Sequence, residues 1–360
     1  MRVAGIMSGT SLDGIDVAVV ELPAVRTLKF LSVPYPEKIR ERLLAVSNAV
    51  THTAEISRLN FEIAELYARA VKRAGPVDLI GCHGQTIYHE GRSNTLQIGE
   101  PAVLAERTGA PVVSNFRARD IAAGGHGAPL APFVDYKLFR HRRRRRIALN
   151  IGGIANITVI PAGARPEDVI AFDTGPGNMV IDALTREMSG GKLRYDRGGK
   201  IAASGEVDRT LLDELLRDRY YRARPPKSAG REQYGAEFVE RMKKSGRPLR
   251  DLIATATVLT AATIAIGVGG AKAGVTDLIA SGGGVHNPEI MAHITGFLPQ
   301  VTTATSSEFG VDVDAKEAIA FAILAYETWR GRPSNVPSAT GARSAVLLGS
   351  ITPTRIWSQL

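Results

Sequence analysis

The sequence predicts an α/β fold made of two related domains that face each other across a ligand cleft. Two observations carry this expectation. A strand, a glycine turn and a second strand open the chain, and the same succession recurs near its middle. After each opening, short apolar runs alternate with segments of helical spacing, the pattern of α/β layers around a largely parallel sheet. At 360 residues the chain is long enough for two separate cores.

The first opening is the apolar run 2–6, the turn Met7-Ser8-Gly9-Thr10-Ser11-Leu12-Asp13-Gly14 and a strand over 16–22. Ile56, Leu59, Ile63, Leu66 and Ala70 then share one helical face within 55–72. Residues 78–82 and 111–114 read as buried strands. The second opening comprises a strand over 146–151, the turn Gly152-Gly153 and a strand over 154–160. Val169-Ile170-Ala171 leads into Phe172-Asp173-Thr174-Gly175-Pro176-Gly177-Asn178, read as a strand ending at Asp173, a tight turn and a helix over 178–188. A strand over 277–281 runs into Gly282-Gly283-Gly284, and 316–329 is an alanine-rich helix ended by glycine and proline. The expected first domain spans 1–135, with 335–360 available to complete it, and the second spans 146–334. The arginines between them read as a solvated loop or crossover.

Composition narrows the function. Apolar residues make up 44% and charged residues 22%, as in ordinary soluble proteins. The single cysteine, Cys82, permits no internal disulfide, which fits a reducing cytoplasm. The opening residues enter a strand pattern without a basic-then-apolar leader, again the cytoplasmic expectation. A net charge of +9 attracts anions, but no aromatic side chains interleave with Arg142 to Arg146, so no nucleic-acid partner is expected. Residues 252–271 carry no charge over 20 positions, close to a membrane span. Thr255, Thr257, Thr260 and Thr263, with many alanines and glycines, make this run a buried core helix instead, and no membrane partner is expected. Zinc spacing, a P-loop and a dinucleotide fingerprint are all missing from the sequence.

The glycine turns carry the chemistry, because bare backbone N–H groups can approach an anion closely. In the first turn, Gly9, Thr10, Ser11 and Gly14 offer N–H groups and hydroxyls to phosphate, while Asp13 or Asp16 could orient hydrated Mg²⁺. Read alone, the same segment is equally a hairpin without a ligand. In the second turn, Asp173 precedes a helix start whose N–H groups favour an anion. A carboxylate there can take a proton from an attacking oxygen, or it can serve only as a turn or cap residue. Gly282 to Gly284, with Asn287, form either a flat seat for adenosine or a flexible loop. Cys82-His83-Gly84-Gln85-Thr86 and Phe116-Arg117-Ala118-Arg119-Asp120 follow strands, where open α/β sheets bind ligands.

Together these segments resemble the anhydro-N-acetylmuramic acid kinases. The matches run from Gly5 to Asp16, Cys82 to Thr86, Asn150 to Asn156, Phe172 to Asn178, Lys227 to Glu232 and Gly282 to Gly284, with Glu317. That family is similar to the sugar kinase, Hsp70 and actin superfamily, so the resemblance implies two duplicated actin/Hsp70/hexokinase-like domains with a nucleotide cleft between them. It implies an ATP- and Mg²⁺-dependent kinase that opens the 1,6-anhydro ring of anhydro-N-acetylmuramate with water. O6 is phosphorylated in the same process, giving N-acetylmuramate 6-phosphate for cell-wall recycling.

The resemblance further implies that Asp173 activates the water. ATP falls to Gly9, Thr10, Ser11, Leu12, Asp13, Gly14, Ile15 and Asp16, with Gly152, Gly153, Gly175, Gly282, Gly283 and Gly284. The sugar falls to Gln85, Thr86, Glu317 and an arginine, Arg119 or its neighbour Arg117, which would pair with the lactyl carboxylate. Many superfamily members have aspartate two residues before the first turn's glycine, where this chain has Met7. Mg²⁺ is therefore assigned to Asp13 or Asp16 through water. A homodimer is also implied. The rival readings are an ordinary sugar kinase acting on a free hydroxyl, and a nucleotide-switched binding module of the Hsp70 type, which would need a peptide-binding extension.

Overall fold

The computed structural model describes residues 1–9, 12, 14–269 and 276–354. Its chain forms two compact units, Met1–Leu138 with the segment from Ala315 onward, and Phe139–Asp314. The strands are β1 (Arg2–Ser8), β2 (Gly14–Glu21), β3 (Arg26–Pro34), β4 (Leu79–Glu90), β5 (Asn94–Ile98), β6 (Val112–Ser114), β7 (Arg145–Ile151), β8 (Ile154–Ile160), β9 (Ile170–Pro176), β10 (Thr276–Ser281), β11 (Thr302–Thr305) and β12 (Ser350–Thr352).

In the first unit the strand order is β12-β6-β4-β1-β2-β3, with β5 paired to β4. In the second it is β11-β10-β7-β8-β9. Three antiparallel strands, β1-β2-β3 or β7-β8-β9, are followed in both by strands parallel to the first: β4 and β6, or β10 and β11. The sheets are therefore mixed, where a largely parallel sheet was expected. The reason is connection length. Gly152-Gly153, or the short segment from Gly9 to Asp13, can join only antiparallel neighbours, since a parallel crossover needs a dozen residues or more.

The first unit's core lies between its sheet and the helix Thr53–Ala74, which buries Leu59, Ile63, Tyr67 and Val71 against Ile6, Val17 and Val19. Each fully buried Leu or Ile contributes about 1.5–3 kcal/mol. The opposite face is covered by the helix Lys316–Trp329, expected in the second domain but packed on β1 and β4 of the first. Its seat is a pair of glycines in register, Gly5 and Gly81. A Cβ built on Gly5 would stand 1.8 Å from the Ala318 carbonyl oxygen, and one on Gly81 would stand 2.1 Å from that of Phe321. Only bare strand backbone admits a helix this close.

In the second unit the uncharged run is a core helix, Leu249–Gly269, packed against the helices Lys200–Ser204, Asn178–Met188 and Pro288–Phe297. It is long and apolar enough to span a membrane, yet its side chains are largely buried inside the unit. The arginine run is only partly solvated. Arg142 and Arg143 are exposed, whereas Arg144 and Arg146 donate to the Asp277 carboxylate, and Arg146 lies 4.8 Å over the Phe309 ring. The Arg144 hydrogen bond above all holds the Asp277 carboxyl below the usual range.

Candidate active site

Asp173 lies within β9, which continues to Pro176 instead of ending at the aspartate. Its backbone N–H donates to the Lys227 carbonyl at 3.2 Å, and its carbonyl accepts the Tyr220 hydroxyl at 2.9 Å. Carboxylate Oδ2 accepts the Ala229 N–H at 2.8 Å, which leaves Oδ1 without a hydrogen bond among the described residues. Burial pushes this carboxyl from 3.8 up to about 6, opposed by the Ala229 N–H and the Lys227 ammonium and reinforced by Glu232. The result is a half-buried carboxylate held at three points with one oxygen presented, and a proton affinity suited to exchange near neutral pH.

The N–H groups of Gly177, Asn178 and Met179, at the start of the helix Asn178–Met188 and expected to be free for an anion, are taken up by the protein. Gly177 and Met179 donate to the Gly153 carbonyl at 2.9 and 3.1 Å, and Asn178 donates to that of Gly152 at 2.8 Å. The β7–β8 turn thus caps this helix. Thr260 of the core helix donates to the Gly177 carbonyl at 3.0 Å. The positions open to close approach lie elsewhere. A Cβ on Gly152 or Gly283 would find its nearest neighbour at 3.6 and 3.9 Å, whereas one on Gly153 would crowd the Met179 methyl at 3.3 Å. Gly282 and Gly284 are instead filled by the protein, with Asn150 Oδ1 at 2.7 Å and an Ile151 methyl carbon at 2.2 Å from the corresponding Cβ positions. Gly175 backs onto Thr263 and Tyr221.

In the first unit, Thr10, Ser11 and Asp13 lie outside the described residues. Leu12 is buried with φ +56, a left-handed conformation uncommon for leucine, and donates to the Gly9 carbonyl at 3.2 Å. Gly14, Ile15 and Asp16 begin β2; the Ile15 side chain is buried in the core, so only its backbone can meet a ligand. Gln85 is fully buried. Its Oε1 accepts from Ser8 Oγ and its Nε2 donates to the Gly9 carbonyl at 3.3 Å, so it braces the first turn from beneath and presents nothing to a sugar. Ser8 Oγ also shares a hydrogen bond with Tyr35 Oη. Thr86 Oγ1 accepts from Gln97 Nε2 at 3.2 Å.

Of the two arginines offered for the sugar, Arg119 is exposed. Arg117 is the enclosed one. Its Nε donates to His83 Nε2 at 3.0 Å and its Nη1 to the Gly127 carbonyl at 2.8 Å. Burial lowers its guanidinium to about 10, opposed first by Glu317 and then by Asp120. His83 Nδ1–H donates to the Gly84 carbonyl at 2.8 Å, and burial holds this imidazole neutral. Glu317 itself is exposed at the start of its helix. Asp120, buried, accepts from Gly127 N, Asn335 Nδ2 and Thr340 Oγ1 and so fastens the segment after residue 330 to this unit. A pocket of about 530 Å³ opens beside His83 and Gly84, lined also by Asn60, Gln97 and Asn115.

Sequence reasoning gave no role to Tyr220, Lys227 or Ala229. The Lys227–Glu232 match was the one signal that pointed to this loop.

A three-strand meander, a parallel continuation and a glycine turn after the first strand, all occurring twice, define the actin/Hsp70/hexokinase-like class of two-unit α/β proteins. The anhydro-N-acetylmuramic acid kinase family model matches residues 1–354. The anhydro-N-acetylmuramic acid kinase of Caldanaerobacter subterraneus subsp. tengcongensis is 43% identical over 97% of this chain and 96% of its own length. That of Salinibacter ruber is 42% identical over 97% and 96%, and one from Bacillus cereus is 43% identical over 98% and 99%. The chain belongs to the anhydro-N-acetylmuramic acid kinase family.

Proposed function

We propose that this chain uses ATP and water to open 1,6-anhydro-N-acetylmuramate and phosphorylate O6, giving N-acetylmuramate 6-phosphate in cell-wall recycling. The observation that carries the chemistry is Asp173, with Oδ1 presented and a carboxyl raised to about 6. Asp173 takes a proton from water as the water oxygen bonds to C1. The C1–O6 bond breaks, O6 bonds to the γ-phosphorus, and the bridge to the β-phosphate breaks to leave ADP.

Family membership supports ATP as the phosphoryl donor, and the open backbone at Gly152 and Gly283 suits its close approach, with Gly153 assigned beside them. In the first unit we assign the turn Gly9–Asp16 to phosphate. Arg117 rather than Arg119 is assigned to the lactyl carboxylate, with Glu317 beside it. Mg²⁺ is assigned to Asp13 or Asp16 through water, with phosphate oxygens completing its coordination. Bound there, it would neutralise phosphate charge. In this reading the chain works in the cytoplasm as a homodimer.

The test is turnover of the anhydro sugar in ¹⁸O-water with a coupled ADP assay. Label at C1 of a phosphorylated product is expected. Label confined to inorganic phosphate, or turnover only of sugars with a free hydroxyl, would reject the reading, the latter in favour of an ordinary sugar kinase.

A further inference from the structure

Lys227 opens a segment to which the proposed reaction assigns nothing. Its ammonium donates to the Tyr220 carbonyl at 2.9 Å and the Tyr221 carbonyl at 3.1 Å. The same nitrogen lies 4.7 Å from the Tyr220 ring centroid and 5.4 Å from that of Phe172. Each group that grips Asp173 belongs to Lys227 or is tied to it. The Lys227 carbonyl takes the Asp173 N–H, and Ala229, two residues on, donates to Oδ2. Tyr220, whose carbonyl the ammonium holds, donates its hydroxyl to the Asp173 carbonyl.

We propose that Lys227 is a positioning residue for Asp173, clamping the loop that orients its carboxylate and supplying a positive charge beside it. This rests on reading Asp173 as the base. The residue type suits the task. Two carbonyls and two ring faces take up a compact ammonium with donors in several directions, which a planar guanidinium could not satisfy together. Of the charged groups acting on the carboxylate, Glu232 is negative and Lys227 supplies the positive charge, while the Tyr220 hydroxyl, bonded to the Asp173 carbonyl, is kept neutral by burial. Removing it must make Asp173 harder to ionise.

The experiment is a ¹³C-carboxyl NMR titration of Asp173, assigned by difference from Asp173→Asn, in the full chain and in Lys227→Met and Lys227→Arg. It runs alongside kcat/KM profiles against pH. Lys227→Met should raise the midpoint by about 0.5–1 pH unit, as expected on losing one positive charge that favours the carboxylate. The acidic limb of kcat/KM should move with it, and kcat should fall at least about tenfold. Lys227→Arg should restore the midpoint but only part of kcat. If Lys227→Met does not fold, Lys227→Gln, uncharged but still a donor, must raise the midpoint in its place. An unmoved midpoint, with kcat reduced only in proportion to the folded fraction, would overturn the proposal. Wild-type enzyme that leaves the anhydro sugar untouched would reject the proposed function, while the NMR midpoints would still decide the role of Lys227.

Discussion

Replacing Asp173 by asparagine separates what the carboxylate does for the reaction from what it costs the fold. Asparagine retains an acceptor for the Ala229 N–H and leaves both backbone bonds of residue 173 in place, so the loop geometry should persist. It cannot take a proton from water, and turnover should fall about 10²- to 10⁴-fold while ATP binding stays near wild type. Stability should move the other way. The wild-type carboxyl titrates at about 6 in the folded chain instead of 3.8. At ~1.4 kcal/mol per tenfold change that difference approaches about 3 kcal/mol, reduced to about 1–2 kcal/mol by the water that reaches the side chain.

The sign follows from burial. The folded state prefers the protonated acid, so this contribution is complete below pH 3.8 and is lost as pH rises through about 6. Asparagine carries no such loss. The variant should therefore unfold about 2–8 °C higher than wild type at pH 7–8, with no advantage left at pH 4. Thermal unfolding scans from pH 4 to 8, with the coupled assay on the same samples, measure both effects. A Tm difference that ignores pH would refute the burial reasoning, and undiminished turnover would refute the assignment of the base.

Gly5→Ala should destabilise the first unit by at least about 3 kcal/mol, because its Cβ would stand 1.8 Å from backbone and the helix would have to retreat by more than an ångström. Gly296→Ala, with nothing within 4 Å of its Cβ position, should be neutral or stabilising; urea midpoints compare the two. Arg117→Lys should raise KM for the anhydro sugar about 10- to 100-fold by losing a charged hydrogen bond, while Arg119→Lys should stay within about twofold in the same steady-state assay. Equal effects of the two substitutions would contradict the distinction drawn between them.

The duplicated plan was legible because a strand, a glycine turn and another strand leave a local signature at both openings. Helical spacing marked the helix within 55–72 and the second glycine turn marked the start of one over 178–188, which the structure places at Thr53–Ala74 and Asn178–Met188. What spacing cannot reveal is which sheet a helix chooses. Lys316–Trp329 follows the second sheet in sequence, yet the seat that receives it is made by Gly5 and Gly81, more than 230 residues earlier. The same holds for Gln85, whose polarity suggested a ligand until Ser8 and the Gly9 carbonyl appeared as its partners. Glycines read as room for a nucleotide turned out, at Gly282 and Gly284, to be room for Ile151 and Asn150. The environment of Asp173 depends on Tyr220 and Ala229, which reach it only after 47 and 56 residues of chain.

The glycine seat has a mechanical consequence. Under the first turns of Lys316–Trp329 there is no layer of side chains to yield, only strand backbone at Gly5 and Gly81. A support of that kind is stiff, since a shift of a few tenths of an ångström either parts the surfaces or drives them into each other. Glu317, at the start of this helix, is therefore held to β1. The distance between the helix and β1 is thereby a fixed dimension of the unit.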